Sequence, residues 1–492
     1  MTIVVATTAA PPNTIYVTTE KGQVPPQTNY IPPPQVTYVE VNQRPRRYAF
    51  KQQTHSGAAG TMLFTYAGMD MAMCLGWNLN ADVSSTRELD YSFFIGIIIG
   101  ALVAGLSVSY LQKWIFYNLA GVMLMIDAII CVANPTEYAS MVAARYVGGA
   151  GLGLLTVVFI IHITEASTSN ERGRWCGVEQ SGLALGIAIQ VILDSQYSSY
   201  DALTVTQAHG IFGIVFTVFA TSLLAFSIES PIFLLRKNKE DKAKLCQWQL
   251  MPPVTSTAAF EEAFAEVKRY VEEGNSQSIG VQLSKSVMPF IKLLLCRCLV
   301  AFTFSLPLSQ AMLISTIVSE TYLNWTVVVF GLLRWIASYF AISLVDTLGR
   351  KLTSVLGLVC MAGLMLAMAG ILSDGMSSLY YMYQICRISM AFQFFAGIYA
   401  PCTSVYLGEA FPMRVKGFLI GLIVCIEQLI HIIVIVTTVN LSIDMFYQYF
   451  LAVGIILVVS LLILAVLMPE TKKLTLRQAG ERFQRVHDIK SY

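Results

Sequence analysis

Residues 145–173 read RYVGGAGLGLLTVVFIIHITEASTSNERG. An arginine opens an apolar run of helix length, glycines recur at 148, 149, 151 and 153, and a polar turn carrying Glu165 and Arg172 closes it. Small residues at this density let helices approach closely in lipid, where packing holds neighbouring helices together. An ionisable group inside a spanning segment is costly and marks a functional site by default. Arg145 therefore reads in one of two ways: a long side chain snorkelling to the headgroups, or one half of a buried pair.

The whole chain supports the membrane setting. Of its 492 residues, 55% are apolar and only 13% charged, with a mean hydropathy of +0.62, a composition that fits a polytopic membrane protein. A net charge of +2 implies no nucleic-acid partner. The ten cysteines are scattered without metal-ligand spacing, and the CxC pair Cys296/Cys298 has no His or second Cys pair beside it, so neither a metal nor a disulfide framework is expected. No nucleophile and base pair, phosphate loop or cofactor motif stands out, which argues against an enzyme. The first 20 residues lack a basic region followed by an apolar core, so no cleaved signal peptide is expected.

Residues 1–57 are rich in Pro, Thr, Gln and Val and end in Arg44, Arg46, Arg47 and Lys51, the composition of a disordered tail. Apolar runs long enough to span follow near 59–79, 92–111, 115–133, 139–163, 177–194 and 208–228. A second set lies near 293–318, 326–345, 352–372, 380–407, 417–439 and 446–468. These divide the chain into a tail (1–57), a six-helix half (58–235), a polar linker with helical periodicity (236–291), a second six-helix half (292–470) and a second tail (471–492). Basic residues collect on one side of the spans while the opposite loops hold only Arg87, so both termini are expected in the cytoplasm, with the plasma membrane as the expected location. Sequons at Asn324 (NWT) and Asn440 (NLS) then fall outside, close to the bilayer, and make the chain a candidate glycoprotein.

The two halves repeat each other. Glu165 precedes Arg172-Gly173 after the fourth span of the first half, and Glu409 precedes Arg414, Lys416 and Gly417 after the fourth span of the second. Parallel six-helix repeats around a central site are the plan of a large transporter class. Further motifs follow in order: Gln180 and Gly186, Glu229-Ser230-Pro231, Asp346 with Gly349-Arg350-Lys351, Glu409-x-Phe411-Pro412, and Pro469-Glu470-Thr471-Lys472. With these residues the chain resembles the sugar porter family of the major facilitator superfamily, from about residue 59 to 476. The resemblance implies an all-α membrane protein of twelve transmembrane helices, in the major facilitator fold of two six-helix halves, working as a monomer in the lipid bilayer without a cofactor.

It also implies residue roles. Carboxylates and arginines at the cytoplasmic helix ends, Glu165, Arg172, Asp346, Arg350, Glu409 and Arg414, form the inner gate. The first half departs from the family pattern at 109–114 (SYLQKW), where an acidic residue and a Gly-Arg-Arg run are expected, so its latch should be weaker or different. In the pocket, Gln180 and Gln310 match family glutamines, whereas Thr316, Arg334, Ser404, Glu427, Gln428 and His431 stand where the family carries amides, an asparagine or tryptophan. Isolated charges there are costly, so an Arg334–Glu427 pair is expected, with Arg334 and His431 contacting a polar or anionic solute. Asp70, mid-span in GMDMAM, stands where proton-coupled members carry an aspartate. Paired with Arg145, it would hold a proton less tightly when the arginine is near than when it withdraws. Asp127 and Arg387, near outer span ends, read as headgroup or outer-gate contacts.

The expected activity is secondary-active transport of a small polar solute, sugar-like or anionic, by alternating access with proton symport. The alternatives are a facilitative hexose or polyol uniporter, an organic-ion transporter, and a solute sensor that does not transport.

Overall fold

The computed structural model describes residues 47–197, 202–251, 257–318, 325–373, 379–438 and 443–487. The expected N-terminal tail up to residue 46 and both sequons, Asn324 and Asn440, lie outside the described residues. The first half comprises α1 (Arg47–Cys74), α2 (Arg87–Ser107), α3 (Lys113–Ala133), α4 (Tyr138–Ala166), α5 (Arg172–Gln196) and α6 (Val205–Leu224). Three short helices follow, α7 (Pro231–Arg236), α8 (Glu240–Leu250) and α9 (Thr257–Ser276). The second half runs through α10 (Ile279–Cys298), a 3-10 turn (Leu299–Phe302), α11 (Leu306–Val318), α12 (Trp325–Thr347), α13 (Arg350–Ser373), α14 (Leu379–Ala410), α15 (Lys416–Thr438) and α16 (Ile443–Leu467). A further helix, α17 (Leu476–Gln484), follows. Helix enters two stretches read from sequence as tail and linker, since α1 starts at Arg47 and α10 at Ile279.

Eleven helical segments, with α10 and α11 taken as one, are long and apolar enough to cross a membrane. The first span, α1, is not among them, because Gly, Thr and Asp70 dilute its hydropathy. It is nonetheless enclosed by its neighbours: a methyl group at Gly60 would strike Phe159 of α4, and one at Gly68 the main chain of Leu183 in α5. The opening stretch explains α4. Methyl groups at Gly149 and Gly153 would strike the carbonyls of Phe93 and Ile97 on α2, so these two helices meet backbone to backbone. Large apolar side chains face outward instead on the peripheral helices, for example Val122 and Ile129 on α3, Val218 and Phe219 on α6, and Val459 and Leu462 on α16. Those outward apolar faces suit lipid.

The halves meet along paired seams. Gly105 of α2 lies against Gly417 and Gly421 of α15, and Gly331 of α12 lies against Ala188 of α5. These are second-with-eleventh and fifth-with-eighth spans, the relation an internal repeat requires. The same symmetry governs two helix starts. Glu229 accepts the Lys113 amide of α3 at 2.8 Å, and Glu470 accepts the Arg350 and Lys351 amides of α13, both at 3.1 Å. A carboxylate at a helix N-terminus satisfies donors that no intrahelical carbonyl can reach. Gly349 stands at φ 110° beside Glu470, a conformation that leaves room for the carboxylate and that side chains rarely adopt.

α17 docks on the bundle. Thr475 and Gln478 form a capping box at its start. Phe483 is buried edge-on to Tyr406, with ring centroids 5.6 Å apart, and Lys292 of α10 donates to the carbonyls of Phe483 (3.3 Å) and Arg485 (2.5 Å).

Candidate transport site

Three charged clusters stand out, one in the first half, one at the centre of the seam and one at the end of the bundle that carries α7 to α9 and α17.

In the first half, Arg145 Nη1 donates to Asp70 Oδ1 at 2.5 Å, with both side chains buried. The snorkelling reading of Arg145 is thereby overturned: α4 carries its guanidinium into the helix bundle, where Nη2 also contacts Met73 Sδ at 3.0 Å. His209 of α6 places Nε2 3.0 Å from Asp70 Oδ1 and Nδ1 2.8 Å from Gln190 Oε1. Asp127 corrects its sequence reading as a headgroup or outer-gate contact. It is fully buried and accepts the Tyr66 hydroxyl at 2.5 Å. Asp127, Cys131 and His209 bring three donor atoms within 4.8 Å of one another, but both imidazole nitrogens already face Gln190 and Asp70, so they do not form an open metal site.

At the centre, Arg297 of α10 is the hub. Its Nη2 meets Glu179 Oε1 of α5 at 2.6 Å and its Nε meets Glu427 Oε2 of α15 at 2.7 Å. Nη1 donates to Thr403 and Ser404 of α14, both at 3.1 Å. Ser404 also donates to Glu179, and Gln180 Nε2 donates to Glu179 Oε1 at 3.0 Å. Gln180, Ser404 and Glu427 are thus brought together as candidates, but around two residues not singled out from sequence, Glu179 and Arg297. The expected Arg334–Glu427 pair does not form. Arg334 of α12 donates instead to the Thr303 carbonyl (3.0 Å), the Thr303 hydroxyl (2.9 Å) and Gln393 Oε1 (3.1 Å). Arg297 reaches Glu427 first because it enters from the helix that packs on α15. Among the described residues, no carboxylate forms an ion pair with Arg334.

The remaining pocket candidates spread out. His431 is buried and stacks on Phe94 of α2, with centroids 4.7 Å apart and planes at 18°. Its Nε2 and the Oε1 of buried Gln428 have no hydrogen-bond partner. Gln310 is half-buried on α11. Thr316, at the far end of α11, donates to the Met312 carbonyl at 2.9 Å and lies beside Thr326 and Cys386, away from Arg297.

At the α9 end, buried Glu409 gathers both halves. Its Oε1 pairs with Arg172 of α5 (3.3 Å) and Arg350 of α13 (3.4 Å), and its Oε2 accepts Thr471 (2.5 Å). Asp346 pairs with Arg350 at 3.3 Å and accepts the Arg174 amide, across the seam, at 2.7 Å. Two of the six gate candidates stand apart. Glu165 accepts Ser230 at 2.5 Å, and exposed Arg414 bonds to Gln282 and Gln277 in the α9–α10 region. In the departing loop of the first half, Lys113 donates to the Val108 carbonyl at 3.2 Å and sits 4.2 Å above the Phe233 ring, so its contacts there are of a different kind. Exposed Arg387 stacks on Tyr383 at 4.1 Å.

Comparison with known proteins agrees with this architecture. Hexose transporter 1 of Plasmodium knowlesi is 22% identical over 399 residues, covering 75% of this chain and 77% of that one. The proton:xylose symporter XylE, bound to 6-bromo-6-deoxy-D-glucose, superposes with a TM-score of 0.70 at 17% identity, covering 89% of this chain and 99% of its own. The inward open conformation of XylE from E. coli gives a TM-score of 0.60 at 19% identity, covering 88% and 99%. The family profile described as Sugar (and other) transporter matches residues 41–483, so this multi-pass membrane chain, with its major facilitator fold, belongs to that family.

Proposed function

We propose that this protein is a secondary-active transporter that moves a small, hydroxyl-rich solute by alternating access, driven by protons. The observation that carries the reading is the Arg297–Glu179 ion pair. It joins the two halves at a fully buried point, among residues matching the sugar-binding positions of the family. A solute that offers hydroxyls to Glu179, Glu427, Gln180 and Ser404 can replace part of this network as the halves rock.

Proton drive is favoured by the buried Asp70–Arg145 pair, because an acid whose basic partner moves away in low-dielectric surroundings takes up a proton. The named relatives point the same way, one being a hexose transporter and another a proton:xylose symporter. Arg334 favours a solute with an acidic substituent over a neutral hexose, since its charge is met only by neutral groups among the described residues. With the basic loops placed in the cytoplasm of the plasma membrane, the Arg172–Glu409 and Arg174–Asp346 contacts close the inner side. This single chain holds all of these groups, and we assign it no cofactor and no second subunit.

The test is uptake into proteoliposomes of D-glucose, D-xylose, a polyol and a hexuronic acid, each with and without an inward proton gradient. Accumulation of one of them only under the gradient supports the reading. Equilibration without accumulation would make the protein a uniporter, and no flux of any would refute transport of this solute class.

A further inference from the structure

The sequence singled out Asp70 as the proton-coupling acid, but the structure surrounds it with a second acid that the coupling reading does not use. Asp127 comes from α3, fully buried. Its carboxylate lies with Cys131 and His209 in a group whose ligand atoms fall within 4.8 Å of one another, and His209 Nε2 is 3.0 Å from Asp70 Oδ1, so the two acids border the same imidazole. The α4 glycine run makes room for it, since a Cβ at Gly148 would stand 3.0 Å from Asp127 Cγ. Each acid keeps one oxygen without a hydrogen-bond partner, Oδ2 of Asp70 and Oδ1 of Asp127. Buried polar atoms are rarely left in that state, and one proton between two carboxylates satisfies a donor and an acceptor at once.

The charges around the pair define the problem. Tyr66, Asp70 and Cys74 face it from α1, Cys131 from α3 itself, Arg145 from α4 and His209 from α6. Asp90 on α2 is the next charged group and is held by Ser85. Within the core of the cluster, two carboxylates confront one guanidinium and one imidazole, whose Nδ1–H faces the Gln190 side-chain carbonyl oxygen and which in its neutral form adds no charge. A sealed site with that balance carries an uncompensated negative charge unless it holds one proton.

We propose that Asp127 is a second proton-carrying carboxylate, sharing one exchangeable proton with Asp70, so that the coupling unit is the acid pair with Arg145 beside it. Loading the pair forms one O–H bond on a carboxylate oxygen with a proton taken from water, and discharge breaks that same bond. Tyr66 orients Asp127 through its hydroxyl, and Gly148 keeps the space the carboxyl occupies. This inference rests on the proton-coupled reading for its role in transport, but the shared proton itself is measurable without transport.

Infrared difference spectroscopy of the full-length purified protein across a pH titration reads the protonated-carboxyl band directly. The wild type is expected to show a band that Asp70→Asn and Asp127→Asn each abolish, because either substitution leaves one acid facing Arg145, which needs no proton. Persistence of the band in Asp127→Asn with loss in Asp70→Asn would overturn the proposal, as would the absence of any band assignable to these residues. If Asp127→Asn does not fold, Tyr66→Phe serves. It removes a donor that favours ionised Asp127, so the band should persist to higher pH, and an unmoved titration would overturn the proposal. Failure of the coupling reading looks different: the band and its sensitivity to both variants are present, but a proton gradient drives no uptake.

Discussion

Arg297 Nη2 lies 2.6 Å from Glu179 Oε1, an ion pair that crosses the seam between the two halves at full burial. Glu427 is the second acid on the same guanidinium, at 2.7 Å. The three residues thus hold two acids to one base, which makes their roles unequal. Arg297→Met would strand two buried carboxylates, and breaking a buried pair in this way costs about 3–5 kcal/mol. Glu427→Gln leaves a balanced pair and should cost much less. Thermal unfolding of the detergent-solubilised protein checks the order: Arg297→Met should melt well below Glu427→Gln, and equal melting temperatures would contradict the hub assignment.

Arg334 gives a prediction of the opposite sign. A buried guanidinium met only by neutral acceptors recovers little of its desolvation cost, and the Thr303 carbonyl keeps the Gln393 amide as a donor when the arginine is removed. Arg334→Met should therefore leave the unfolding temperature unchanged or raise it, while uptake of an acidic solute is lost. A strongly destabilised variant would mean that Arg334 is a structural tie.

The glycines of α4 and α13 separate close packing from lipid exposure. A methyl group at Gly153 runs into the Ile97 carbonyl, whereas one at Gly363 meets nothing within 4 Å. Gly153→Ala should destabilise by about 1–3 kcal/mol through overpacking, and Gly363→Ala should stabilise by up to about 1 kcal/mol through helix propensity. Unfolding midpoints of the two variants on either side of the wild type are expected; the same sign for both would contradict the packing described.

These contrasts show what was legible in the chain. The α4 run announced a tightly packed helix by its composition, and the mid-span charge of Arg145 marked a site by itself, while its pairing with Asp70 came from the family resemblance. Pairing across helices was not legible to the same degree. Glu427 and His431 lie four apart on one helix face, yet one joins Arg297 and the other stacks on Phe94. Helical spacing gives the shared face but not which neighbour reaches it. Arg297 lies within the seventh apolar run and was not singled out as a site residue, because nothing in that run shows which acids of other helices reach it. Glu179 was hidden beside Gln180. Asp127 looked like an outer contact because span depth is read from sequence position alone, and the buried Tyr66 hydroxyl that meets it belongs to another helix.

At the proposed inner gate, Glu409 takes donors from Arg172, Arg350 and Thr471. Hydrogen bonds to a charged group contribute about 1.5–3 kcal/mol each, so Glu409→Gln should weaken closure of the inner side by about tenfold or more. Cys176, buried on α5 behind this gate, reports it. Mass spectrometry should find its alkylation at least tenfold faster in the variant, and an unchanged rate would show that Glu409 does not latch the halves.

The proposed proton coupling rests on Asp70, whose carboxylate holds Arg145 at 2.5 Å. The most direct measurement compares wild type and Asp70→Asn in proteoliposomes for gradient-driven accumulation and for counterflow of the same labelled solute. Proton coupling through Asp70 predicts that the variant keeps counterflow and loses accumulation. Undiminished gradient-driven accumulation by Asp70→Asn would contradict it.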